Sequence, residues 1–182
     1  MTSFEEGAVS TYVKPMIYFI TGGVRSGKSK YAMRFALDLS PHPVYIATAR
    51  RWDDDFQKRI SRHLADRDDR WTTIEEEKQL SKVELEGKVA VVDCVTLWLT
   101  NFFVDTKQDI EQSLKEAKHE FDRLAEKKCT LLLISNEIGM GVHAPSKAGR
   151  EFTDLQGWIN QYIAEKADKV IFMISGIPVT IK

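Results

Sequence analysis

The chain has 182 residues, 43% of them hydrophobic and 29% charged, with a formal net charge of −1. That length suffices for one domain with a proper core, and a near-neutral balance argues against a general nucleic-acid or anionic-membrane binder, which would carry a basic surplus. No apolar stretch approaches the roughly 20 residues that a membrane helix needs, so no membrane insertion is expected. Two cysteines, Cys94 and Cys129, lack CxxC spacing and read as buried free thiols of a reducing, cytoplasmic environment.

In chain order, residues 1–15 read as a flexible extension. Glu5 and Glu6 and the lack of an apolar run there do not make a secretory signal. A short apolar strand is expected over 16–20. It leads into Gly22-Gly23-Val24-Arg25-Ser26-Gly27-Lys28-Ser29, a complete phosphate-binding loop, and then a helix over 30–39. The glycines let successive N–H groups point at phosphate oxygens, and the helix start adds its positive dipole end. Lys28 is positioned to reach β/γ-phosphates, and the Ser29 hydroxyl to ligate Mg²⁺.

Beyond the loop, strands are expected over 44–47, 90–93, 130–135 and 170–175, with a return over 178–181 as a hairpin. Helices are expected over 53–67, 95–103, 108–127 and 151–167, and a polar connection fills 72–87. Apolar strands alternating with amphipathic helices predict an α/β fold, a mainly parallel sheet covered on both faces, with residues 16–182 forming a single domain. Ligands of such sheets collect at the carboxyl ends of the strands, where the polar clusters of this sequence fall.

Asp93 closes a run of valines and alanine, a pattern that suits a carboxylate holding Mg²⁺; a helix cap is the alternative. His63 lies within about 20° of Phe56 around its helix, on the apolar stripe. It reads either as a histidine packed against the sheet or as a neutral nucleophile, since Arg59 and Arg67 beside it disfavour its protonated form. In the second case it would attack an α-phosphate, expel pyrophosphate and carry a nucleotidyl group on nitrogen. Asn136 and Glu137 could orient a substrate hydroxyl, complete a metal shell, or cap a turn. Glu75 reads as a base or ribose contact or as a surface acid. Arg25, Thr48, Arg50 and Arg51 read as ligand contacts or as solvated loop. His42, His119 and His143 form no motif with one another.

The ordered set TGGVRSGKS (21–29), YIATA (45–49), RISRH-x₃-R-x₃-W-x₃-E (59–75), VVDCVTLWLTN (91–101), SNEIGMG (135–141) and SGIPVTIK (175–182) resembles the adenosylcobinamide kinase/adenosylcobinamide-phosphate guanylyltransferase family of cobalamin biosynthesis. The resemblance implies a P-loop, RecA-like fold assembled as a homotrimer. It implies phosphorylation of adenosylcobinamide by ATP or GTP, followed by GMP transfer from GTP to adenosylcobinamide phosphate through a histidine matching His63. By position it further implies that Gly22, Gly23, Val24, Arg25, Ser26, Gly27, Lys28 and Ser29 contact phosphates. Thr48, Ala49, Arg50, Leu64, Ala65, Asp66, Arg67 and Glu75 belong to the nucleotide site, with Asp93 at the nucleotide and metal. Leu64 departs from the basic residue common after that histidine, and the N-terminal extension is longer than usual. A small-molecule kinase without the transferase step, or a nucleotide-driven switch, are the rival readings.

Overall fold

The computed structural model describes residues 14–50 and 68–182. Within them the chain forms β1 (Ile17–Gly22), α1 (Lys28–Leu39), β2 (Val44–Ala47), β3 (Thr72–Glu75), a 3₁₀ turn (Leu80–Lys82), β4 (Val89–Asp93), α2 (Val95–Asp105), α3 (Ile110–Ala125), β5 (Thr130–Ile134), α4 (Lys147–Lys166), β6 (Lys169–Ile174) and β7 (Ile177–Thr180). The strands make one seven-stranded sheet in the order β3-β2-β4-β5-β1-β6-β7. Every pairing is parallel except β6 with β7, the expected hairpin.

Alternation along each strand feeds two cores. Phe19, Val44, Ile46, Val92, Leu131 and Leu133 face one side, packed under α2, α3 and α4 with Trp98, Phe121 and Ile159. Ile20, Tyr45, Val91, Leu132 and Ile134 face the other, against Ala32 and Ala36 of α1. Strands buried on both faces read as continuous apolar runs, which is why β1, β4 and β5 were visible in sequence.

One expected connection is corrected by the structure. Residues 72–87 hold β3, an outer strand paired only with β2, and most of its side chains are exposed. A strand with one neighbour and little burial leaves no apolar run to detect, although Thr72, Thr73 and Ile74 are β-branched. Two helices are capped as physics prefers: Asp109 accepts from the Gln112 amide and Ser146 from the Gly149 amide. The expected helix over 53–67, with His63, Arg59, Leu64, Ala65, Asp66 and Arg67, lies outside the described residues, as does the extension through residue 13.

Candidate functional site: a phosphate loop on a polar rim

Parallel pairing puts the carboxyl ends of the strands on one edge. Glu75 is opposite Ala47, Ala47 opposite Asp93, Asp93 opposite Ile134, and Ile134 opposite Ile20. The phosphate loop, residues 48–50, Asp93 and the segment 135–137 therefore share one rim.

The loop runs from the end of β1 into α1. Gly22 has φ +145, and a Cβ there would lie 2.5 Å from the Met173 carbonyl oxygen of β6. Gly27, the residue before the helix, has φ +95, with Gly176 Cα 3.2 Å from where its Cβ would be. Both are positions that only glycine occupies without strain. The Gly176 amide donates to the Ser26 carbonyl at 2.9 Å, so the β6–β7 turn clamps the loop from its far side.

Lys28 is buried, and its Nζ donates to the carbonyls of Gly22 at 2.8 Å and Gly23 at 2.6 Å. Burial pushes its pKa below the ordinary lysine value, opposed by the nearby Cys94 and by the charge of Asp93. Asp93 is thus close enough to the loop to act on Lys28. One Asp93 oxygen accepts from the Tyr45 hydroxyl at 2.8 Å. Ser29, the second residue of α1, is half-buried, whereas Arg25 and Val24 are exposed at the loop's tip. Among the described residues no group of three or more His, Cys, Asp or Glu side chains forms a metal cage. Ser29 and Asp93 nevertheless supply hard oxygen donors of the kind Mg²⁺ takes, an ion that keeps several waters and needs few protein ligands.

Thr48 is fully buried rather than part of a solvated loop. Its hydroxyl donates to the Cys94 carbonyl and accepts from the Cys94 amide, both at 2.8 Å, tying the end of β2 to the turn after Asp93. Asn101, also fully buried, donates to the carbonyls of Thr48 and Glu77, both at 2.9 Å. Ala49 is half-buried. Arg50 bonds Glu77 at 2.6 Å and Asp105 at 2.8 Å, and Lys78 joins Asp105 at 3.0 Å. Those hydrogen bonds raise the Arg50 pKa further, and the Arg50 bond holds the Asp105 carboxyl down at about 2. The pairs are partly solvated, so each contributes modestly. Glu75 is exposed at the end of β3, four strands from β1, roughly 19 Å at ordinary strand spacing.

The segment after β5 is also tied to β1 and the loop. The Ser135 amide donates to the Ile20 carbonyl and the Glu137 amide to the Gly22 carbonyl, both at 3.0 Å. An open cleft of about 350 Å³ lies between the loop tip (residues 23–26), Glu137, Met140 and residues 172–175. A larger hollow of about 470 Å³ between α3 and α4, lined by Leu114, Lys118, Trp158 and Tyr162, involves none of these groups.

Sequence reasoning missed the buried polar frame below this rim. Ser135 donates to Asn160 Oδ1 at 2.7 Å, and Gln156 Nε2 donates to Ser135 at 3.0 Å and to Asn160 Oδ1 at 2.9 Å. Asn160 donates to the Asn136 carbonyl at 3.2 Å, and the Thr96 hydroxyl accepts from the Asn136 amide at 3.0 Å. A signal was present: Gln156 and Asn160 stand four residues apart among Leu155, Ile159 and Ile163, interrupting an otherwise apolar helix face.

The family model described as cobinamide kinase / cobinamide phosphate guanyltransferase matches residues 18–181. The bifunctional adenosylcobalamin biosynthesis protein CobP of Pseudomonas aeruginosa is 38% identical over 90% of this chain and 95% of its own. The bifunctional adenosylcobalamin biosynthesis protein CobU of Escherichia coli is 34% identical over 92% of this chain and 100% of its own. Among solved structures, the flagellar accessory protein FlaH of Methanocaldococcus jannaschii superposes with a TM-score of 0.51 at 14% identity, covering 93% of this chain and 79% of that one, a likeness of fold alone. The fold is an α/β architecture, a mainly parallel sheet with a phosphate loop after its first strand, and the chain belongs to the cobinamide kinase / cobinamide phosphate guanyltransferase family.

Proposed function

We propose that this protein phosphorylates the aminopropanol hydroxyl of adenosylcobinamide with ATP or GTP. It then transfers GMP from GTP to the new phosphate, giving adenosylcobinamide-GDP and pyrophosphate. The observation that carries the reading is the phosphate loop, with Lys28 and Asp93 beside it, in a chain that matches the family over residues 18–181.

In the first reaction the acceptor hydroxyl attacks the γ-phosphorus and the nucleoside diphosphate leaves. Little covalent work falls to the protein, so positioning and charge neutralisation dominate. Residues 22–29 cradle the phosphates, and Lys28 leaves the Gly22 and Gly23 carbonyls to reach them. Ser29 and Asp93 would hold Mg²⁺, which neutralises charge on the transferring group when bound. In the second reaction a nitrogen of His63 attacks the α-phosphorus of GTP and pyrophosphate leaves. An oxygen of adenosylcobinamide phosphate then takes the guanylyl group and frees the histidine. Thr48, Ala49, Arg50, Glu75 and residues 64–67 are assigned to the nucleotide in that half. For His63 and residues 64–67 the support is the sequence match, since they lie outside the described residues.

We also assign the chain to a cytoplasmic homotrimer in which residues 16–182 act as one domain. Support comes from two buried free thiols and from β7, an outer strand exposing Ile177 and Val179, the kind of edge that a second copy covers. No helix among the described residues is long and apolar enough to cross a membrane.

The test supplies adenosylcobinamide, ATP, GTP and Mg²⁺ and follows the corrinoid products by mass. Both adenosylcobinamide phosphate and adenosylcobinamide-GDP are expected, and a His63→Ala variant stops at the phosphate. A variant that still makes the GDP adduct would leave His63 structural, and wild-type protein that forms no phosphorylated corrinoid would end the reading.

A further inference from the structure

Phosphoryl transfer from a nucleotide to an alcohol releases the hydroxyl proton, and a carboxylate within reach of the loop is the usual group to orient that hydroxyl and take it. The rim offers several acids, and the structure engages nearly all of them elsewhere. Glu77 and Asp105 are paired with Arg50, and Lys78 adds to Asp105. Glu76 accepts from the amides of Lys78 and Gln79. Asp93 is bonded by Tyr45 and assigned to the metal. Glu75 stands at the outer strand, far from β1. Cys94, next after Asp93, is a buried thiol whose pKa is raised to about 12 by burial and by Asp93, so it takes up no proton at neutral pH.

Glu137 is different. Its amide is bonded to the first carbonyl of the phosphate loop, and its side chain lines the cleft beside residues 23–26. One carboxylate oxygen accepts from the Gly139 amide at 2.9 Å, which fixes the side chain; the other has no partner, and no cation pairs with the group, among the described residues. The backbone that carries it is held by the Ser135–Gln156–Asn160 frame and by Thr96, so the acid rides on a rigid element.

We propose that Glu137 is the catalytic carboxylate of the kinase half-reaction. The acceptor oxygen forms a bond to the γ-phosphorus, the bond to the β,γ-bridging oxygen breaks, and the hydroxyl proton passes to the free oxygen of Glu137 and then to solvent. This rests on the function proposed above. The experiment compares wild type, Glu137→Gln and Glu137→Asp in phosphorylation of adenosylcobinamide, with the dissociation constant for a fluorescent GTP analogue as the control for folding. Expected is a fall in kcat of about 100-fold or more for Glu137→Gln, with nucleotide affinity within about threefold and partial recovery in Glu137→Asp. Phosphorylation by Glu137→Gln within about threefold of wild type overturns the role of Glu137 while leaving the functional reading intact. A loss reversed by raising Mg²⁺ overturns it too, because the carboxylate then serves the metal. Wild-type protein that phosphorylates no corrinoid removes the functional reading, and this assignment with it.

Discussion

Gly22 marks where β1 passes so close to β6 that a single methyl group would meet the Met173 carbonyl at 2.5 Å, in a backbone conformation that side chains rarely adopt. Steric overlap and left-handed strain act together there, so Gly22→Ala should lower stability by about 3 kcal/mol. Urea unfolding checks this, and a loss under about 0.5 kcal/mol would mean that β6 yields at no cost. The placement of Lys28 and Ser29 at the start of α1 and of Asp93 at the end of β4 was legible in sequence because it follows from local spacing after a strand. Thr48 was not: its burial depends on Cys94, 46 positions away, a partner that no spacing rule names. Arg50 was likewise open between solvent and ligand until Glu77 and Asp105 were seen beside it.

Among the elements, α4 does more than cover the sheet. Asn160 accepts from both Ser135 and Gln156 in a site shut off from water, so removing it strands two donors. Asn160→Ala should cost about 2–4 kcal/mol and loosen the segment that places Glu137 at the loop. Thermal unfolding gives the stability change. An unchanged melting temperature would show that Ser135 and Gln156 find other partners. The long helices and buried strands were legible because periodicity reports burial directly. β3 was not, since an outer strand with one neighbour carries little apolar patterning, and the frame on α4 was not, since polar residues on a buried face gain meaning only from what they meet.

Across the whole molecule, the two thiols report on the closed core. Burial raises Cys94 to about 12 and Cys129 to about 11, whereas an unfolded thiol ionises near about 8.5. Below that pH both states keep the proton and stability is intact. As pH rises toward 11–12 the unfolded chain ionises first, so stability falls, by up to about 1.4 kcal/mol per pH unit for each thiol. Urea midpoints at pH 8 and pH 10 should diverge more for wild type than for a chain carrying Cys94→Ala and Cys129→Ala. Equal slopes would show that the thiols ionise alike folded and unfolded. The same sheet sets the carboxyl ends of its six parallel strands on one rim, where the phosphate loop and the acids around it meet.

The central claim is that one chain runs both transfers, the second through His63. Protein incubated with Mg²⁺ and GTP labelled at the α-phosphate should acquire a covalent label, stable to base and labile to acid, in the peptide containing His63, with one pyrophosphate released per label. A preparation active in phosphorylating adenosylcobinamide that takes up no label, or a His63→Ala variant labelled to the same extent, would contradict it.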